Sequence, residues 1–512
     1  MIFRVLLLSV LLLFSTSSKC CKEERNSDTV ILNKSYKALH SWNDTPNVLN
    51  NSCIVGERRV YLGNEVQIIG GEPKKLLAQD MFYKVESNRK IPNTNSIFII
   101  QHDFVLAENI SIPENSILEF DGGSLSGEYT ITGNNTEIRG YVRIMPDISF
   151  AGTFNNIETV FVDWFISDYK ANEDCSNSIR KAISLAKQAH ASLTFGGYVS
   201  DKARKYYCNS GNFDVSGLVI NGNGATIISV GNFDLFIVDG YCKCRDIQIG
   251  KYPYQDDSST NSFKNTAIMC KNNHQMKFEN VFVDGFHYGF LLDAAWNVVI
   301  DACNTYRCSV GVGSKGLSVN NNIHNSRISG TVCGIDVKGV SEGWMISDNV
   351  IIGSTGLRFT NHANTIIKGN IVDLCSKYAM EIIGNCPGML IDNNYMAIEK
   401  GGESIIIISS QDIKNNEDQM ISITNNILRG YDSMKGETGI SVTSGKYKHI
   451  KIMGNHIKSN DLKYGISIDK DVSIGTLFMR DNVVEGKENI PPVRIQGKIT
   501  NRFFSDNVKT RL

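Results

Sequence analysis

The C-terminal half of the chain alternates short apolar runs with turns on a regular beat. Apolar runs end in a small polar residue at Asn280, Cys303, Ser326, Asn349, Asn370, Asn394, Asn426, Asn455 and Asn482, spaced by 23, 23, 23, 21, 24, 32, 29 and 27 residues. Three places before most of these stands a long or β-branched apolar residue: Ile300, Ile323, Ile346, Ile367, Ile391, Ile423, Ile452 and Met479. A second column keeps the same beat through Gly289, Gly311, Gly334, Gly356, Ala379, Ser404, Gly439, Gly465 and Pro492. Strand-like alternation follows it, as in Gly334-Ile335-Asp336-Val337.

A period in the low twenties with period-two alternation predicts a solenoid of stacked strands. One coil cannot bury its apolar face alone. Stacked coils share a continuous core and satisfy one another's backbone groups. Leucine-rich repeats have this period, but their Leu-x-x-Leu-x-Leu consensus is absent. The pattern predicts an all-β right-handed parallel β-helix, with a stacked Asn at one corner bonding to the coils on either side. The spacings of 32, 29 and 27 read as loops inserted on one side, where solenoids often carry a binding face.

Upstream the pattern changes. Phe98-Ile99-Ile100, Ile117 to Phe120, Tyr129 to Ile131 and Glu137 to Arg139 read as short strands between turns such as Asp121-Gly122-Gly123. One helix is predicted after Asp174 or Ser176, with Ile179, Ala182, Ile183, Ala186 and Ala189 on one face. The expected organisation is a signal peptide (1–19), a tether and capping region (20–90), a small β module (91–165), a capping helix with its connection (166–205) and the β-helix (206–512). The Asn-Gly-Asn-Gly run at 221–224 leads into a strand rather than a helix, which argues against a nucleotide site.

Composition narrows the function. With 52 basic and 53 acidic residues the net charge is -1, so nucleic acid is not an expected partner. Arg4, the apolar run Val5 to Phe14 and the small residues Ser15 to Ser18 read as an export segment. Cys20 or Cys21 is a candidate lipidated N-terminus, although Lys19 is a poor neighbour for one; ordinary cleavage near Ser17 or Ser18 is the alternative. Any membrane contact is expected only through that anchor. The 13 cysteines read as buried inert thiols, because no two share a column on adjacent rungs. No resident cofactor is expected; a Ca²⁺ ion needs only a few oxygens, but no acidic cluster demands one.

The helix core Ala182-Ile183-Ser184-Leu185-Ala186, the strand ending Phe195-Gly196-Gly197-Tyr198, the Asn221-Gly222-Asn223-Gly224-Ala225-Thr226-Ile227 strand and the irregular coils together resemble the pectate-lyase-like superfamily of β-helix proteins. Phe120-Asp121-Gly122-Gly123 and Asp163-Trp164-Phe165 resemble an N-terminal module of exported bacterial members. The resemblance spans about residues 91–485 and implies a fold, not an activity. The catalytic motifs of polygalacturonases and pectate lyases are missing; Val493-Arg494-Ile495-Gln496 lacks the terminal Lys of an Arg-Ile-Lys element.

The repeat register supplies candidates instead. Residues in one column lie roughly 4.8 Å apart on successive rungs. The column two places after the glycines reads Leu291, Gly313, Asp336, Arg358, Glu381, Ile406, Ser441, Ser467 and Arg494, and is expected to face outward. Asp336 and Glu381 are candidate glycosidase carboxylates with Arg358 between them for a uronate; the bland reading is a surface ion-pair ladder. The column two places before the Asn ladder reads Phe278, Asp301, His324, Ser347, Lys368, Asp392, Thr424, Met453 and Arg480. Asp301 beside His324 is a candidate oriented base, and Lys368 beside Asp392 a candidate pair for lyase chemistry. Tyr306, Tyr378, Tyr395, Tyr206, Tyr207, Tyr252 and Tyr254 are candidate sugar-facing aromatics, while Trp344 reads as core. The leading expectation is an exported polysaccharide lyase or glycoside hydrolase acting on an acidic or complex glycan. The alternatives are a non-catalytic glycan-binding adhesin and a tailspike-like homotrimer joined through Met345, Ile366 and Leu390; monomer and homotrimer both stay open.

Overall fold

The computed structural model describes residues 58–511 apart from 64–65, 70, 167–171, 200–201, 252–263, 400, 411–418, 432–437, 461, 487–490 and 506. The export segment, Cys20, Cys21, Tyr252 and Tyr254 therefore lie outside the described residues.

From Thr159–Phe161 to Val508–Arg511 the strands form one ladder of 32 members. Its pairings are parallel, as between Ile323, Ile346 and Ile367 on successive coils. The winding is right-handed, the hand that parallel crossovers adopt. Each coil carries three strand segments, which define sheets A, B and C. In one coil these are Ile366–Lys368, Ile371–Cys375 and Tyr378–Ile383. In the coil before it, B and C merge into one bent strand, Val350–Ala363.

The predicted apolar column is the core of sheet A. Ile323, Ile346, Ile367, Ile391, Ile423 and Ile452 are fully buried and stacked in register. Burying each such side chain contributes about 1.5–3 kcal/mol.

The corner between A and B explains the polar ladder. Its first residue is left-handed at Asn325, Asp348, Gly369, Asn393, Asn425, Gly454 and Asp481, with φ of 52° to 69°. Only Gly, Asn and Asp adopt that conformation cheaply. The next residue turns inward as the ladder Asn. From Ser326 to Asn455, each ladder amide N–H donates to Oδ1 of the Asn one coil on, at 2.9–3.1 Å. From Asn349 onward, each Asn Nδ2 also donates back to a core Ile carbonyl, as Asn370 does to Ile346. Asn280 departs from the prediction. It is exposed, has φ 52°, and occupies the left-handed position, so buried Val281 holds the ladder place. The column before it moves likewise: Glu279, not buried Phe278, pairs with Asp301.

The glycine column marks the bend from B into C, where backbone of the next coil passes close. A Cβ at Gly334 would lie 2.6 Å from Ile351 Cγ2 and 2.7 Å from the Gly356 carbonyl oxygen. Ser404 is not in this column, since it pairs with Tyr378; Ile405 stands beside Ala379.

The N-terminal module is itself a short parallel stack. Ile97 pairs with Ile117, and Ile117 with Glu137, giving 20-residue steps. Strands upstream of residue 90 join it: Arg59–Tyr61 pairs with Ile97–Ile100, and Glu72–Leu77 with Asp103–Leu106. The helix α1 (Ser176–Ala189) buries Ile179, Ala182, Ile183, Leu185 and Ala186 against Ser149–Phe154, Thr159–Phe161 and Ser192–Thr194. Asp174 Oδ1 accepts the Ser176 amide at its start, and left-handed His190 ends it. The helix thus packs between module and β-helix within one core running from Leu62 to Val484. The 32-member ladder begins at Thr159–Phe161, ahead of the expected boundary at 206.

Candidate functional site

Sheet C carries the first polar column. Gly313, Asp336, Arg358 and Glu381 pair in strict succession, and the register continues to Ile407 rather than Ile406. Buried Ile335, Val337, Leu357, Phe359, Met380 and Ile382 alternate with them and hold them outward. Arg358 Nε donates to Glu381 Oε2 at 2.6 Å, and its Nη1 lies 3.7 Å from Asp336 Oδ2. Lys338 reaches the same Asp336 oxygen at 2.7 Å.

Although it faces away from the core, the Asp336 side chain is only 4% exposed, against 17% for Glu381 and 21% for Arg358. Asp336 Oδ1 is buried without a partner. Gly313 leaves a gap on the rung before it. The Tyr288 ring fills this gap, its Cε1 being 2.5 Å from where a Cβ would stand. His287 packs edge-on to Tyr288 at 4.5 Å. Burial, then the field of Lys338, lowers the His287 pKa. Burial works against the Arg358 charge, but the Glu381 bond and the fields of Cys333, Glu381 and Asp336 leave its pKa raised.

On the far side of Glu381, Tyr378 donates to Glu403, and burial followed by that carboxylate raises the Tyr378 pKa. Lys338, Tyr288, His287 and Glu403 are the members that column reading missed. Lys338 was accessible as the residue two places after Asp336 on the same strand face. Tyr288 and Glu403 reach in from other rungs, and no local spacing announces that.

The second polar column lies on sheet A. His324 Nδ1 is 3.1 Å from Asp301 Oδ1, as the column predicts. Asn325 Nδ2 reaches both groups, and Lys277 approaches Asp301 Oδ2 at 3.8 Å. Lys368 and Asp392 are in register but form no ion pair. Asp392 instead accepts from Thr424 Oγ1 at 2.8 Å and Asn425 Nδ2 at 3.0 Å, while Lys368 stays exposed. Beside this column Met345, Ile366 and Leu390 stack in an exposed apolar row.

Of the described aromatic candidates, Tyr206, Tyr207, Tyr306 and Tyr395 fall on sheet B and Tyr378 on sheet C. Tyr306 is exposed beneath the Arg307 guanidinium, and Tyr395 pairs with Ile427. Tyr206 is a core residue whose hydroxyl bonds Asp163 and the Gly196 amide. Trp344 is core as expected, donating to the Ser318 carbonyl at 3.0 Å. The nine candidates are therefore divided among three faces. Asp336, Arg358 and Glu381 come together on C; Asp301, His324, Lys368 and Asp392 are on A; Tyr306 and Tyr395 are on B. Among the described residues no hydrogen bond or ion pair joins the two polar columns.

The fold is a parallel β-helix. Residues 219–400 match the family described as Periplasmic copper-binding protein (NosD). No curated protein matches the chain. Among solved structures, the surface adhesin PfbA of Streptococcus pneumoniae is 14% identical, covering 68% of this chain and 93% of its own with a TM-score of 0.47. The Dettilon tailspike protein is 14% identical, with 66% and 68% covered and a TM-score of 0.46. A periplasmic alginate epimerase is 12% identical, with 62% and 78% covered and a TM-score of 0.41. No residue role and no activity carries over from these three.

The family description names copper, and the described residues do not fit it. No group of three His, Cys, Asp or Glu among them is arranged to hold an ion. The ten described cysteines are free and buried. Burial pushes the thiols of Cys303, Cys308 and Cys375 up to about 12, away from the thiolate that metals bind. His362 is buried with both ring nitrogens unpartnered, but it is packed between Trp344 and Phe359.

Proposed function

We propose that the protein acts outside the cytoplasm on an acidic or complex glycan, with sheet C as its working face and hydrolysis as its chemistry. The observation that carries this reading is the in-register stack of Asp336, Arg358 and Glu381, with Asp336 nearly buried and one of its oxygens unpartnered. Glycoside hydrolysis uses two carboxylates flanking the scissile bond. Their backbones stand about 9–10 Å apart across two rungs, and convergence on Arg358 draws the carboxyl groups toward the spacing of an inverting pair. Asp336 and Glu381 are the candidate acid–base pair, with Arg358 between them. The connections from sheet B into sheet C, short at Cys375 to Tyr378, lengthen between Ile398 and Ser404, Gly430 and Thr438, and Gly486 and Val493. The export-type N-terminus and the periplasmic family description support the location.

Elimination chemistry is less well supported. Arg358 is engaged by Glu381, and Lys368 stands on another sheet. A non-catalytic glycan-binding reading is favoured by one observation, the ion pairs that hold both carboxylates.

The test is incubation with uronate-containing and neutral glycans, followed by reducing ends and by absorbance near 235 nm (roughly, the band of an unsaturated uronate formed by proton abstraction at the α-carbon). New reducing ends without absorbance are expected. Glu381→Gln and Asp336→Asn should each lower the rate by about 10²-fold or more, the usual scale of acid–base catalysis, with unchanged melting. Absorbance would replace hydrolysis with elimination. Binding without product on every glycan would establish the non-catalytic reading.

A further inference from the structure

The last rungs of sheet A form a cleft, remote in register from the sheet C column. Lys451, Phe478 and Phe503 stand on successive rungs of one outward column, and Arg480 lies beside them in the next. With Arg502 and Phe504 they line a cleft of about 700 Å³. Among the described residues three cations line it and no carboxylate does, although the whole chain has a net charge of -1. Lys451 and Arg502 form no ion pair among the described residues, and Arg480 meets only exposed Asp481 at 3.6 Å. Phe478, Phe503 and Phe504 are 37%, 56% and 46% exposed. Three solvated phenyl rings around one cleft are apolar surface of the kind that marks an interaction site.

We propose that this cleft binds an acidic glycan chain through its charged groups and sugar-ring faces. Guanidinium groups pair with carboxylate or sulfate in a fork. The apolar C–H faces of sugar rings pack on phenyl surface. A single-stranded nucleic acid fits less well. Stacking successive bases needs several free ring faces, but Phe478 and Phe503 already stack on each other, with centroids 4.9 Å apart and an interplanar angle of 13°, which leaves a face for a single sugar ring. One outer face of Phe503 and the ring edges are what remain. The inference rests on sheet A alone and is independent of hydrolysis at sheet C.

The experiment is affinity electrophoresis of the full chain in gels containing polygalacturonate, dextran or no polymer, with an oligo(dT) strand as competitor. Polygalacturonate should retard the protein and dextran should not, and retardation should weaken as salt screens the contacts. The double variant Lys451→Ala/Arg502→Ala and the single variant Phe503→Ala should each weaken retardation at least tenfold without a change in melting. Glu381→Gln should be retarded like the parent, which separates this site from the sheet C reading. Unchanged retardation in both sheet A variants, equal retardation by dextran, or preferential binding of oligo(dT) would overturn the proposal.

Discussion

Asn370 shows how much one side chain holds. Its Oδ1 accepts the Asn349 amide at 3.1 Å and Nδ2 at 3.0 Å, while its own Nδ2 donates to the Ile346 carbonyl and to Asn394 Oδ1, each at 2.9 Å. All of this is buried, so an alanine would orphan groups that water cannot reach. Asn370→Ala is expected to cost about 3 kcal/mol, one to two buried orphans at 1–3 kcal/mol each, read as a lower urea midpoint. His362 makes the opposite case. Burial lowers its pKa to about 3 in the fold, below the usual value near 6.5 when unfolded. The unfolded chain therefore binds the proton first as pH falls. The contribution of neutral His362 is fully present above about pH 6.5 and is lost progressively toward pH 3. Melting in that window should fall less steeply for His362→Phe than for the parent; identical slopes would show that another group governs it. The Asn column was legible because a buried ladder tolerates few residue types. The unpartnered state of His362 was not, since it depends on Trp344 and Phe359 from other parts of the coils.

At the scale of the coil, alternation identified the faces and the corners punctuated them. The left-handed residue followed by Asn recurs as Asp348-Asn349, Gly369-Asn370, Asn393-Asn394 and Gly454-Asn455. The glycine column has a steric cause, the next coil's carbonyl, so Gly334→Val should lower stability by about 1–3 kcal/mol, the cost of forcing atoms into a filled space. Unchanged melting would mean that the bend relaxes freely. Single-residue errors in register had large effects. Taking Ser404 for Ile405 put Ile406 outside when it is buried, and taking Asn280 for Val281 did the same to Phe278. With a period of two, a slip of one residue exchanges the faces of a strand. Such slips occur where coil length changes or the corner residue is itself Asn, and the registers of neighbouring coils resolve them.

At the scale of the molecule, the three sheets separate what a linear reading combined. The two polar columns are rich over the same rungs, but one lies on A and the other on C. Lys368→Ala should therefore leave any hydrolytic rate at sheet C within about twofold of the parent, as expected for a surface change remote from the site, whereas Glu381→Gln should lower it by about 10²-fold or more. A large loss in the Lys368 variant would mean that substrate bridges the two faces. What the sequence determined by itself was the repeat: its period, the Ile core, the Asn corner, the in-register order of Asp336, Arg358 and Glu381, and the contact of Asp301 with His324. These are all neighbour relations along a one-dimensional stack, where one coil predicts the next. Tertiary structure alone decided which columns share a face, that Arg358 is engaged by Glu381, that Tyr288 fills the gap at Gly313 beside Asp336, and that Lys451, Arg480, Arg502 and three phenylalanines enclose a cleft. Those relations depend on how the coil bends between its sheets and on side chains crossing between rungs, and a repeat does not encode either.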